Sequence, residues 1–235
     1  MGQGIQQAPV QQGSATAWLD VFKVLFEPGV VFENVRAKPG FMAPFLTIIA
    51  VQVVLFFLNL SYTMVGIAAQ ASAAGRPAPS AGMVTVFGLV GLVIVLALVF
   101  LVSGLILWVL TSMLGGGEAR FSTLLSVALY AAVPSAILLS IVGTIVVHMR
   151  GTAGITSPQD LQPALGLDLL VPGAKGFGGA VLKGINPFSL WGLVLTAIGV
   201  TTTQRTSKGT GYTIAAIAYV IGLLIAGSLA AVFNR

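Results

Sequence analysis

Two apolar runs decide the fold: Met83-Val-Thr-Val-Phe-Gly-Leu-Val-Gly-Leu-Val-Ile-Val-Leu-Ala-Leu-Val-Phe-Leu-Val-Ser-Gly-Leu-Ile-Leu-Trp-Val-Leu-Thr-Ser-Met-Leu114 and Ser122-Thr-Leu-Leu-Ser-Val-Ala-Leu-Tyr-Ala-Ala-Val-Pro-Ser-Ala-Ile-Leu-Leu-Ser-Ile-Val-Gly-Thr-Ile-Val-Val147. Neither contains a charged residue, and only Gly115 to Phe121, with Glu118 and Arg120, separates them. About 20 apolar residues suffice for a helix to cross the hydrocarbon core. Lipid offers no water to satisfy backbone N–H and C=O groups, so both runs are expected to be helical. The pair reads as a tight transmembrane hairpin.

The rest of the chain agrees with that hairpin. Hydrophobic residues are 57% of the 235 and charged residues 7%, with a mean hydropathy of +1.01. A soluble domain carries about 25% charged residues, without which it could not cover its surface. The formal charge is +5, an excess that suits topology and anionic headgroups rather than nucleic acid. There is no Cys, which excludes disulfides, thiolate nucleophiles and thiolate metal sites.

Outward from the hairpin, residues 1–14 are Gln- and Gly-rich, without apolar period, and read as a disordered tail. They also lack the basic-then-apolar form of a secretory signal. Residues 15–42 read as an interfacial amphipathic segment. Trp18, Val21, Phe22, Leu25 and Phe26 recur at helical spacing, with Asp20, Lys23 and Glu27 on other faces. Pro28-Gly29 is expected to end that helix. A second piece has Val31, Phe32 and Val35 apolar against Glu33, Asn34, Arg36 and Lys38, and Pro39-Gly40 breaks it. The alternative for these pieces is packing on another subunit.

Residues 43–235 then read as a five-span membrane domain, with spans at about 44–69, 83–114, 122–149, 188–204 and 212–233. In the first span Gln52 and Asn59 are seven apart and share a face, extended by Thr63 and Gly66. Amides facing lipid are costly, so this stripe is expected to point into the bundle, as structural glue or as a transport path. Pro134 is expected to kink the third span, and His148 reads as an interfacial anchor. The connection from Arg150 to Gly184 is Gly- and Pro-rich. Within it, Leu165–Val171 and Phe177–Ile185 are candidate short interfacial helices. Asn186-Pro187 reads as a cap opening the fourth span. In the fifth, Ala218, Gly222, Ala226 and Ala230 form a small-residue stripe, a packing face within the chain or between copies. Arg36, Lys38, Arg205 and Lys208 flank spans closely and favour a cytoplasmic N-terminus.

Several motifs are similar to one family. Phe26-Glu27-Pro28-Gly29-Val30-Val31-Phe32-Glu33 with Lys38-Pro39 precedes the first span, Tyr130-Ala131-Ala132-Val133-Pro134 lies in the third, and Asn186-Pro187-Phe188-Ser189-Leu190-Trp191 leads to Gly199 in the fourth. From about Trp18 onward the chain resembles the bacterial branch of the Yip (Ypt/Rab-interacting protein) membrane domain family. The resemblance implies a five-helix domain with a cytoplasmic N-terminus in the bacterial inner membrane, and brings no catalytic residue. Eukaryotic members have a long cytosolic N-terminal region and an Asp-Leu-Tyr-Gly-Pro motif. Neither is present here, so no GTPase partner carries over.

The expected fold is therefore all-α, a polytopic bundle of five transmembrane helices with an N-terminal amphipathic interfacial helix. The expected function is a non-enzymatic membrane scaffold, adaptor or accessory subunit, whose partners are the bilayer and other membrane proteins or further copies through the Ala218/Gly222/Ala226 face. A transporter or channel subunit for an apolar or lipid-like substrate is the second reading, since ion transport ordinarily requires ionisable residues in the spans. An intramembrane enzyme is the third, and a single His leaves it without a plausible base. No catalytic, cofactor-binding or metal-ligating residue is expected.

Overall fold

The computed structural model describes residues 14–116 and 118–233; apart from Ser14, the expected disordered tail lies outside them. The described chain is helical, with short 3-10 and π segments and no strand. Its helices are α1 (Ser14–Lys23), α2 (Pro28–Ala37), α3 (Met42–Ala73), α4 (Ala81–Leu114), α5 (Phe121–Ala131), α6 (Ser140–Arg150), α7 (Gly176–Gly184), α8 (Pro187–Gln204) and α9 (Lys208–Phe233). Four are long and apolar enough to cross a membrane: α3, α4, the continuous 121–150 unit holding α5 and α6, and α9. A bent pair, α7 and α8, which meet at 64°, makes a fifth span when the two are counted as one unit. The 18 residues of α8 span roughly 27 Å at the usual rise, just short of a typical hydrocarbon core.

The 121–150 unit is the hub. Every residue from Thr123 to Ala131 is buried, whereas α4, all apolar, leaves most of its surface facing outward. That contrast is what a helix at the centre of a bundle and one at its lipid-facing edge should show, since outside helices meet tails as apolar as themselves. The hairpin between α4 and α5 is tied by the Trp108 indole, which donates to the Ala119 carbonyl at 3.0 Å.

Pro134 opens a π-helical segment, Pro134–Leu139, and the helix continues into α6. Proline has no N–H and its ring crowds the carbonyl four residues back; a widened turn accommodates both.

The N-terminal segment differs more from its sequence reading. Pro28 and Gly29 do not terminate α1 but open α2, with Pro28 in the first turn, where a missing N–H costs nothing. The face of Val31, Phe32 and Val35, read as lying on the membrane surface, turns into the bundle and is buried against α8 and α5. Phe32 sits over Gly199 of α8, where an added Cβ would stand 2.9 Å from its ring. Only a residue without a side chain lets the ring lie that close. From α1 and the turn that follows it, Val21 and Val24 join the same core, while Trp18, Leu19, Phe22 and Phe26 remain outward. Asp20, assigned to another face, is also buried, and Asn34 of α2 donates to its Oδ2 at 3.1 Å.

Candidate functional site

The polar stripe on α3 points inward, as expected of an amide face. Gln52 donates through Nε2 to the Ala136 carbonyl inside the π segment and to Ser140 Oγ. Asn59 donates through Nδ2 to the Leu55 carbonyl and to Thr144 Oγ1 of α6, each at 2.9 Å. Thr63 bonds the Asn59 carbonyl of its own helix. These side chains form a seam between the first and third spans rather than a lined path. His148, exposed at the end of α6, donates through Nδ1–H to the Thr144 carbonyl at 2.9 Å and leans on the Tyr62 ring. The fifth-span stripe is mostly outward: Gly222 and Ala226 are exposed and a Cβ on Gly222 would meet nothing within 4 Å, while Ala218 packs against the core. Among the described residues, no three His, Asp or Glu side chains gather in a way that could hold a metal ion.

A wide hollow lies at the far end of the bundle, where the connection from Gly151 to Lys175 folds into a roof. From Met42 to Gln70, which lines that hollow, α3 rises roughly 40 Å, so the hollow and the α1–α2 end are opposite poles. The roof is built locally. Gly151 and Gly154 take positive φ, +70° and +80°, and turn the chain back from α6. Asp160 Oδ2 then accepts from the Thr156 and Ser157 amides at 2.9 and 2.8 Å and from both their hydroxyls, capping a 3-10 turn, Pro158–Leu161. The Thr156 N–H foremost, with the other three donors, holds the Asp160 carboxyl below the ordinary carboxylate range. That turn rests on α3 at Gly66, where a Cβ would come within 2.8 Å of the Ser157 backbone.

The second half of the roof is seated on α7. Leu167, in a second 3-10 turn (Leu167–Leu170), donates its amide to the Ile185 carbonyl at 3.0 Å. A Cβ on Gly166 would stand 2.7 Å from that same oxygen, so a glycine is required at the crossing. Lys183 Nζ reaches the Gln162 carbonyl at 3.2 Å. The Tyr219 hydroxyl of α9 donates to Gly184 O at 2.9 Å. Asn186 caps α8 through its Oδ1, which accepts from the Ser189 amide at 2.9 Å, and its Nδ2 holds the Lys183 carbonyl.

Between roof, α6, α7 and α9 lies a basin of about 970 Å³, bordered by Arg150, Lys175 and Lys183 and by Asp160 and Asp168. A hollow of this size is at the upper end of ordinary small-ligand sites. By contrast, the hollow at the other pole, between Thr111, Glu118 and Arg205, is about 120 Å³. Sequence reasoning named the connection but missed the basin and Asp168. The available signal was an aspartate inside an otherwise apolar Leu-Asp-Leu-Leu-Val run.

The chain matches the Yip1 domain across residues 22–230. It is also 28% identical over 222 residues to the membrane protein YknW of Bacillus subtilis (strain 168), an alignment covering 92% of this chain and 91% of that relative. No solved structure matches it.

Proposed function

The chain belongs to the Yip1 domain family, and from that premise we propose that it is a non-enzymatic scaffold or adaptor of the bacterial inner membrane, multi-pass, with a cytoplasmic N-terminus. One observation carries this reading. Helix α1 and the turn after it are anchored through Val21 and Val24 in the core of the bundle, yet they turn Trp18, Leu19 and Phe22 of the helix and Phe26 of the turn outward, Phe26 being 84% exposed. An anchored helix with a free aromatic ridge suits holding a membrane surface or a neighbouring membrane protein, because aromatic side chains bury large area at low entropic cost.

The spans support the same reading, as apart from Lys183 in the α7 arm they contain no Asp, Glu, Lys or Arg between their ends. Their polar side chains are engaged in holding helices together. The exposed Gly222 and Ala226 face is a second surface on which another helix can approach.

The test is gentle solubilisation with crosslinking, followed by identification of co-purifying membrane proteins. The expected outcome is a defined partner or a second copy crosslinked through α1 or α9, lost on Trp18→Ala/Phe22→Ala/Phe26→Ala while the chain stays folded. Recovery of the chain alone under crosslinking, or turnover of a substrate by the purified polypeptide, would overturn the reading.

A further inference from the structure

Asp168 is 6% exposed. Its Oδ1 accepts the Gly166 amide at 2.9 Å, but its Oδ2 is buried and has no hydrogen-bond partner among the described residues. Asn59 Oδ1, Thr111 Oγ1 and Thr206 Oγ1 are likewise buried without partners, but Asp168 Oδ2 is the carboxylate oxygen of the four, whose desolvation with nothing to accept is the most unfavourable. Asp168 borders the basin, and the crossing at Gly166 and Ile185 holds its backbone in place.

The same basin carries cations without a carboxylate partner among the described residues. The two ion pairs among the described residues, Lys23–Glu27 and Arg36–Glu33, are both at the opposite pole. Arg150 and Lys175 have no carboxylate partner among the described residues, and Lys183 bonds only the Gln162 carbonyl. Asp160, the other acid of the basin, is already occupied by Thr156 and Ser157. The basin thus offers one buried acceptor for a cationic N–H donor and a rim of three cations for an anion. Beside it, the roof exposes Leu169, Leu170 and Val171, an apolar ridge adjoining the span ends.

From this juxtaposition we propose that the basin binds a phosphate ester bearing a primary ammonium. The ammonium donates to Asp168 Oδ2, and Arg150, Lys175 and Lys183 meet the phosphate. That chemistry occurs in an aminophospholipid headgroup and in free phosphoethanolamine; the inference stands independently of the scaffold reading.

Native mass spectrometry of the full chain, delipidated and offered equimolar phosphatidylethanolamine, phosphatidylcholine and phosphatidylglycerol, tests it. A quaternary choline ammonium has no N–H to donate. Wild type is therefore expected to retain phosphatidylethanolamine over phosphatidylcholine by roughly tenfold or more, the worth of one charge-assisted hydrogen bond. D168N should abolish that preference while leaving phosphatidylglycerol retention unchanged. Lys175→Gln should weaken all three lipids together. Displacement of bound lipid by millimolar phosphoethanolamine assigns the site to either source; failure to displace assigns it to the lipid. Equal retention of phosphatidylethanolamine and phosphatidylcholine by wild type overturns the proposal whether or not D168N folds, as does an unchanged preference in a folded D168N.

Discussion

The two poles of this bundle are built on opposite plans. At the α1–α2 pole, side chains from four elements close into a dry core around Phe32, Val127, Leu195 and Val200, and even its buried carboxylate, Asp20, is bonded by Asn34. At the other pole the roof stands off a basin, three cations are left without carboxylate partners among the described residues, and one carboxylate oxygen has no partner. Close packing confers stability at the first pole even though the Thr111 and Thr206 hydroxyls there are buried without partners among the described residues, whereas an open hollow bordered by a carboxylate and cations forgoes stability for the capacity to bind. The first pole holds the fold; the second is where ligand chemistry has room.

The largest expected effect breaks the packed pole. Phe32→Ala empties the site above Gly199 and should cost about 3–5 kcal/mol, read as a lowered midpoint of thermal or denaturant unfolding in detergent. A loss well under 1 kcal/mol would mean that α2 is not integral to the core.

A smaller effect is expected where the roof meets α3. Gly66→Ala drives a Cβ into the Ser157 and Pro158 backbone and should cost about 1–3 kcal/mol, the usual range for overpacking. Because the roof can lift, the change should be local, with protease sensitivity rising within residues 151–175 and the hairpin unaffected. Global unfolding would contradict a roof separable from the bundle.

The seam joining the poles sharpens the comparison. Replacing both Gln52 and Asn59 with Leu removes their bonds to Ala136, Ser140 and Thr144. Interhelical hydrogen bonds in membranes average about 0.6 kcal/mol, so the double variant should unfold only slightly more readily and keep its assembly state in size-exclusion chromatography. Loss of a solute flux in that variant would instead mark the seam as a path.

The smallest effect is a pH dependence of the roof. Asp160 has a carboxyl held below its ordinary range, so its bonds contribute fully above the pKa of an unfolded Asp, about 3.9. The contribution is lost as pH falls through the lower folded value. Hydrogen exchange at the Thr156 and Ser157 amides should stay protected near pH 5 and lose protection only well below 3.9. Asp160→Ala should expose both amides at neutral pH.

Much of the architecture was legible because membrane physics acts on single segments. Uncharged runs such as 83–114 and 122–147 have one viable conformation in lipid, and two amides seven residues apart must share a helical face. The Asn186-Pro187 cap is likewise local. Less could be read where a residue's role depends on what approaches it. Val31, Phe32 and Val35 have the same amphipathic spacing whether they face headgroups or α8. Asp20 reads as a solvent-facing charge until Asn34 meets it from another helix.

Sequence alone determined that this chain spans a membrane as helices, and that the two runs of the hairpin carry no Asp, Glu, Lys or Arg, because each follows from the cost of exposing charge or backbone to lipid. Tertiary structure decided which amphipathic face is core, that α7 and α8 are bent into one unit, and that, among the described residues, Asp168 is buried with a free oxygen beside cations without a carboxylate partner. Those outcomes depend on distances between segments remote in the chain, such as Gly66 to Ser157 and Gly166 to Ile185, which no periodicity within one segment encodes.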